Sequence, residues 1–128
     1  PEHPDYAITL HSMADVHERQ GRYNEAMELY QTALAIKGEA LGQEHPNYAA
    51  TLHNMALVHK RQGRYNKAME LYQTALAIKG EALGPEHPDY AVTLHSLAAV
   101  HARQGRYNKA MELYQTALAI ITLHSMAD

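Results

Sequence analysis

The chain carries ten histidines among its 128 residues, and imidazole groups can bind divalent metals or transfer protons. A metal ion held on one helix needs ligands three or four residues apart, because only then do the side chains share a face. His11 and His17 are six residues apart and point to different faces of a helix. His11 and Asp15 have suitable spacing, but the equivalents of Asp15 later in the chain are Leu57 and Ala99. The sequence therefore predicts no metal site and no cofactor.

The remaining residues do not form a catalytic pattern. The chain has no cysteine, no glycine-rich phosphate-binding loop and no nucleophile paired with a base. The formal net charge of -3 and the isoelectric point of about 6.4 lack the basic surplus that binds nucleic acid or an anionic membrane surface. No apolar run approaches the roughly 20 residues that span a bilayer. We predict a non-catalytic cytoplasmic protein that binds neither nucleic acid nor membranes.

The chain is built from a 42-residue unit that recurs at a fixed period. Residues 43–84 match residues 1–42 at 35 of 42 positions. Such self-similarity indicates a solenoid, in which each unit buries its apolar face against its neighbours. We predict one all-α domain comprising repeat 1 (1–42), repeat 2 (43–84), a truncated repeat 3 (85–120) and part of a fourth unit (121–128). Because the sequence starts at Pro1 rather than at a methionine, we expect a piece of a longer chain or an engineered one.

Each repeat contains two segments in which apolar residues recur at helical spacing. In repeat 1 this spacing predicts helix A over about residues 4–20 and helix B over about residues 25–41. Gly21 and Gly42 supply left-handed stops, and Asn24 is the predicted N-cap of helix B. The turn between the helices is short, which predicts an antiparallel hairpin. The histidines that precede proline, His3, His45 and His87, are predicted to shape the turn between repeats.

One face of helix A is predicted to be buried. In repeat 1 that face consists of Tyr6, Leu10, Met13 and His17. Burial disfavours the charged imidazole, so the pKa values of His17, His59 and His101 are predicted to lie below the usual value of about 6.5. Gly38 and Gly80 inside helix B each cost about 1 kcal/mol relative to alanine, which predicts a close helix contact at these positions.

Differences among the repeats concentrate on the opposite side of helix A, whereas residues 26–36 of helix B recur unchanged. We name this surface, together with its recurring histidines and arginines, the A-helix stripe. It consists of Ile8, His11, Ser12, Asp15, Glu18, Arg19, Ala50, His53, Asn54, Leu57, Lys60, Arg61, Val92, His95, Ser96, Ala99, Ala102 and Arg103. Exposed residues without a packing role are where binding usually occurs. The alternative is that helix A tolerates change because helix B is sandwiched between repeats.

The packing residues resemble the tetratricopeptide repeat pattern. They are Leu10-x2-Met13-Ala14-x2-His17, Gly21, Tyr23, Ala26-x3-Tyr30 and Ala33. The 42-residue period and the segments LGxEHPxYAxTL and RQGRY are similar to the repeats of kinesin light chains. Leu10 and His17 stand where the family usually has aromatic residues, and an extra turn around Gly38 replaces its helix-ending proline. The resemblance implies a right-handed superhelix with helices A lining a concave, peptide-binding groove.

Two ligand modes follow from this resemblance. The two-carboxylate clamp of chaperone-binding members has equivalents here at His11, Asp15, Asn54, Val92 and Ser96, of which only Asn54 fits, so a chaperone C-terminal tail is not the expected ligand. The stripe instead repeats a histidine with an arginine, as His11 with Arg19, His53 with Arg61 and His95 with Arg103. These pairs would hold acidic peptide segments, as the kinesin light chain groove does. The alternative is that each arginine only complements the negative end of its helix.

The predicted function is therefore that of a protein or peptide interaction scaffold. Substitutions such as Leu57→Asp and Arg61→Glu are predicted to weaken partner binding with little effect on folding, because neither residue lies on the predicted core face.

The repeat breaks near the end of the sequence. Residues 121–128 are identical to residues 8–15, and 13 intervening residues present in the earlier units are missing. No glycine or proline separates the two segments, so helix B of repeat 3 is predicted to run unbroken over about residues 109–127. Ile121, Leu123 and Met126 would then be exposed and are predicted to mediate self-association, which gives the alternative function of a self-assembling structural module. The other interpretation is that residues 121–128 begin an ordinary fourth helix A.

Overall fold

The computed structural model of the chain describes residues 4–126, with side chains from residue 5 onward. Each repeat contributes two α-helices, giving six in this range: α1 (Pro4–Arg19), α2 (Tyr23–Leu41), α3 (Pro46–Arg61), α4 (Tyr65–Leu83), α5 (Pro88–Arg103) and α6 (Tyr107–Met126). The extensive helix contacts join helices that are consecutive in the sequence. The predicted all-α solenoid is confirmed.

Each hairpin is antiparallel and closes on an alanine-rich seam. Near one end Ala7 and Leu10 pack with Ala33, and near the other end Ala14 packs with Ala26. Small side chains let the two helix backbones approach closely while still excluding water. The seam fixes helix A against helix B and leaves the rest of helix A free to contact other repeats.

The turn within each hairpin is a glycine-terminated helix end. Gly21 has φ of 78°, the Arg22 amide donates to the His17 carbonyl at 2.8 Å, and the Gly21 amide donates to the Glu18 carbonyl at 3.1 Å. This arrangement satisfies the last carbonyls of helix A and turns the chain at once into helix B. Helix B therefore begins at Tyr23, and the prediction that Asn24 is its N-cap was wrong, because the N-cap is Arg22, with no side-chain hydrogen bond.

The turn between repeats uses histidine as a helix cap. The Nδ1 atom of His45 accepts a hydrogen bond from the Asn47 amide at 3.0 Å, and His87 does the same for the Asp89 amide. Pro46 and Pro88 are the first residues of their helices. The predicted role of these two histidines in shaping the turn is confirmed, whereas His3 lies outside the described residues.

The predicted core face of helix A is divided between two neighbours. Leu10 packs within its own hairpin, but Tyr6 and Met13 of α1 are about half exposed. The equivalent Met55 of α3 is buried, because it packs with Val58 against helix B of the preceding repeat. No described helix covers the outer side of α1, so the prediction that Tyr6 and Met13 are buried was wrong for repeat 1 and holds for the Met13 equivalents of the later repeats.

A close joint between repeats explains the glycine inside helix B. A methyl group on Gly38 would lie 3.2 Å from Cε1 of Tyr48, and one on Gly80 would lie 3.0 Å from Cε1 of Tyr90. The glycine therefore lets the tyrosine of the next helix A rest against the helix B backbone. The predicted close contact is confirmed.

Helix α6 continues across the missing segment without a break. It has 20 residues, against 19 in α2 and α4, so residues 121–125 occupy the positions that residues 37–41 hold at the end of α2. The predicted continuous helix is confirmed up to Met126, and its predicted end at Ala127 lies outside the described residues. Ile121, Leu123 and Met126 are exposed.

Candidate functional site

The A-helix stripe is divided by exposure into three groups. Its exposed members are Ile8, Ser12, Arg19, Arg61, Val92, His95 and Arg103, and its half-buried members are His11, Asp15, Ala50, His53, Asn54, Leu57, Lys60, Ser96, Ala99 and Ala102. Glu18 is only 5% exposed. The stripe therefore combines a solvent-facing surface with side chains that connect one repeat to the next.

A cleft of about 240 Å³ lies between helices A of the first two repeats. Six stripe residues line it together with Tyr30: His11, Ser12, Asp15, Glu18, Asn54 and Leu57. The cleft brings stripe residues of two neighbouring repeats together.

The internal histidines of the stripe connect repeats to each other. The His11 ring stands edge-on to Tyr30 at 5.0 Å between centroids, and its Nε2 lies 2.8 Å from the Thr51 hydroxyl of the next repeat. Asn54 of that repeat donates to Nδ1 at 3.4 Å. Burial, reinforced by the Lys37 ammonium, lowers the pKa of His11 to about 4. At neutral pH this histidine is uncharged.

His53 repeats this arrangement one unit later. It stands edge-on to Tyr72 at 5.0 Å and lies 3.5 Å from the Thr93 hydroxyl and 3.4 Å from that of Ser96. Burial and the Lys79 ammonium lower its pKa to about 4. His95 keeps the tyrosine contact, with Tyr114 at 5.1 Å, but is exposed. The prediction of repeated histidine–arginine pairs that attract acidic ligands is therefore wrong for the internal histidines.

The three arginines of the stripe have three different environments. Arg19 pairs through Nε with Oδ2 of Asp15 at 3.1 Å on the surface of the same helix. Arg61 forms an ion pair with the buried Glu18 of the preceding repeat. The prediction that Arg61→Glu would hardly affect folding is wrong, because it would leave the Glu18 carboxylate buried beside a like charge.

The third arginine faces a cation instead of an anion. The helix position of Glu18 is occupied in repeat 2 by Lys60, so Arg103 approaches Lys60 where Arg61 meets Glu18. Partial burial and the Arg103 guanidinium together lower the pKa of Lys60. Within residues 5–126, neither cation has an ion-pair partner.

These two cations border a second, larger cleft on the stripe. It has a volume of about 600 Å³, and its lining includes Lys60, Arg61 and Arg103 as cations and Leu57, Tyr23 and Tyr65 as apolar or aromatic side chains. We name it the basic cleft. Sequence reasoning grouped Lys60 and Arg103 on the stripe but missed their proximity. The signal was available in the sequence, because Lys60 replaces Glu18 one repeat later while the arginine recurs as Arg61 and Arg103.

The six described helices have neither a metal-ligand group nor a membrane-spanning segment. No cluster of three or more histidine, aspartate or glutamate side chains that could hold a metal occurs in residues 5–126. None of these helices is both long and apolar enough to cross a bilayer.

Stacked antiparallel hairpins with recurring joints define an α-helical repeat solenoid. The model of the tetratricopeptide repeat matches residues 5–81 and residues 48–122, and the chain belongs to this family. No curated protein matches the chain.

The solved structures similar to this chain include kinesin light chain repeats. A Podosopora anserina putative kinesin light chain with nearly identical TPR-like repeats is 32% identical, with a TM-score of 0.81 over 94% of this chain. BtubC (BKLC) from P. vanneervenii is 25% identical, with a TM-score of 0.83 over 92% of this chain. The chain spans 57% and 47% of the lengths of these two structures. Its repeats are thus similar to the kinesin light chain repeats.

A more distant structure is the second TPR of Spaghetti (RPAP3) bound to the HSP90 peptide SRMEEVD. It is 19% identical and has a TM-score of 0.69 over 91% of this chain and 94% of that one. At this identity the similarity concerns the fold alone.

Proposed function

We propose that the chain is a non-catalytic interaction scaffold that binds an acidic peptide segment along the A-helix stripe, centred on the basic cleft. The observation that carries this proposal is the pair Lys60 and Arg103, two cations that face each other across neighbouring repeats. A carboxylate between them would relieve their repulsion and accept charge-assisted hydrogen bonds from both. Membership of a repeat family with peptide-bound relatives supports a peptide as the class of ligand.

The cleft also favours an apolar residue beside the acidic one. Leu57 is half-buried, and Tyr23 and Tyr65 are only partly covered. Aromatic and aliphatic side chains next to a charged anchor are typical of the centre of an interface. We therefore infer a ligand in which aspartate or glutamate adjoins a large apolar side chain. Asn54 is the only match to the chaperone clamp, so the proposed ligand is an internal acidic segment.

A random 12-residue peptide library displayed on phage and selected on the immobilised chain tests this proposal. We expect the enriched peptides to carry acidic residues next to apolar ones. Fluorescence anisotropy with a labelled enriched peptide then compares Lys60→Ala and Arg103→Ala with the control Lys67→Ala, which removes an exposed lysine of helix α4. Each cleft variant should weaken binding about tenfold, whereas the control should not.

Arg61 is left unchanged in this experiment because its ion pair with Glu18 supports folding. Enrichment of peptides without acidic residues would contradict the proposed ligand. Equal affinities of all three variants would contradict the proposed cleft.

A second candidate function is self-association. Apolar residues are exposed at both ends of the described solenoid, on α1 and on α6. Exposed apolar surface of this kind tends to find a partner.

A further inference from the structure

Helix α6 exposes a face that is covered on helices α2 and α4 by the following helix A. In repeat 2 the equivalent residues, Tyr65, Met69 and Leu76, pack against Leu97 and Val100 of the following helix A. Their counterparts on α6 are Tyr107, Met111 and Leu118, which are 69%, 54% and 64% exposed. The face is therefore one half of an interface whose other half is known from within the chain.

Helix α1 carries the other half. Met13 and Val16 are 47% and 55% exposed. Their counterparts Met55 and Val58 fall to 6% and 0%, because helix B of repeat 1 covers them. The uncovered faces of α1 and α6 thus hold nearly the same residues that meet at the joints between repeats.

We propose that α1 of a second copy of this chain docks on the uncovered face of α6, so that copies join head to tail. The inference rests on the second candidate function, self-association, and specifies which surfaces meet. It extends an interface that occurs twice inside the chain, between α2 and α3 and between α4 and α5. Because the two surfaces differ, the contact does not close into a pair and further copies can be added.

The histidine of the last repeat supports this register. His95 has its tyrosine contact, but within residues 5–126 it has no hydroxyl neighbour of the kind that Thr51 gives His11 and Thr93 gives His53. Thr9 of a docked copy is the counterpart of Thr51 and would meet the His95 ring. The docked copy would thus restore the hydrogen bond made at the internal joints.

One detail makes the joint between copies weaker than the joints within a copy. Thr122 stands where the earlier repeats have Gly38 and Gly80. Tyr6 of the docked copy would meet the threonine side chain at the point where even one methyl group approaches the equivalent tyrosine ring within 3.2 Å. Such overpacking destabilises an interface. Replacing Thr122 by glycine should therefore tighten association about tenfold.

Complementary blocked variants test the proposal. Met13→Glu places a charge on the α1 face, and Leu118→Glu places one on the α6 face. Leu123→Glu is the matched control, because Leu123 is 60% exposed on the same helix but corresponds to Glu39 and Glu81 in the earlier repeats. Circular dichroism establishes that each variant is folded, and sedimentation velocity over a concentration series measures assembly.

We expect the unaltered chain and Leu123→Glu to increase in mass with concentration through species larger than dimers. Met13→Glu and Leu118→Glu should each remain monomeric, and an equal mixture of the two should form a dimer and nothing larger, because one intact α6 face and one intact α1 face remain.

Two results overturn the proposal in distinguishable ways. Assembly that Leu123→Glu abolishes, or that survives in either blocked variant, would mean that copies associate through other surfaces, and self-association itself would stand. A monomer at all concentrations for both the unaltered chain and Thr122→Gly would remove self-association as well. Neither result bears on peptide binding by the basic cleft.

Discussion

His53 should make the stability of the solenoid depend on pH. Burial and the nearby Lys79 ammonium lower the pKa of the folded-state imidazole to about 4, against about 6.5 in the unfolded chain. As pH falls, the unfolded chain therefore takes up the proton first. The stabilising contribution of His53 is fully present above pH 6.5 and is lost between about pH 6.5 and pH 4.

The size of the loss follows from these two values. At pH 5.5 most unfolded imidazoles carry a proton and few folded ones do, so linkage gives a loss of about 1.3 kcal/mol for His53 between pH 7.5 and pH 5.5. His11 should add a smaller amount, because it is more exposed and solvent screens its charge. Burial also lowers the pKa values of His59 and His101, so their contributions have the same sign.

Urea unfolding at pH 7.5 and pH 5.5 measures this loss for the unaltered chain, His53→Gln and the control His95→Gln. The His53 variant should lose about 1.3 kcal/mol less than the unaltered chain over this range. The control variant replaces an exposed histidine at the equivalent position of the last repeat. Imidazole resonances in an NMR titration should place the folded His53 midpoint near pH 4. An equal loss in the His53 variant would refute the argument that its ring is buried and neutral.

Two further substitutions test the joints between repeats by urea unfolding at pH 7.5. Gly80→Thr puts a side chain against the tyrosine ring of the next repeat and should lower the free energy of unfolding by about 1–3 kcal/mol. The control Ala82→Thr, on the exposed side of the same helix, should cost less than about 1 kcal/mol. Equal costs would contradict the close contact. Arg61→Ala should lower the free energy of unfolding by about 1–3 kcal/mol, because Glu18 stays buried without its partner. The control Arg19→Ala removes an exposed ion pair and should cost less than about 1 kcal/mol. A reversed order would show that the pair with Glu18 does not support folding.

The features that could be predicted from the sequence are those set within one repeat. The period, the paired helices and the glycine stops follow from local spacing and backbone preference. The close approach at Gly38 was also predictable, because an internal glycine is costly without a packing reason.

The features that were missed arise between repeats. A helical wheel assigns Glu18 to the solvent side, but the Arg61 side chain comes from the next repeat, 43 positions away, and closes over it. His11 was placed on an open surface for the same reason, although Thr51 and Asn54 partly enclose it. The period shows that units stack, but it does not show which side chains of neighbouring units meet. Sequence reasoning therefore misplaces polar residues such as Glu18 and His11, whose burial depends on the neighbouring unit.

The joints between repeats have a consequence for how such genes change. The contacts of Tyr48 with Gly38 and of Thr51 with His11 use residues that recur in the next unit, whereas variable residues such as Leu57 lie on the A-helix stripe. Duplication, loss or reordering of whole 42-residue units in the DNA therefore rebuilds the same joints each time. Recombination between near-identical repeats can thus alter the order of the displayed side chains in a single step, without passing through a chain that cannot fold.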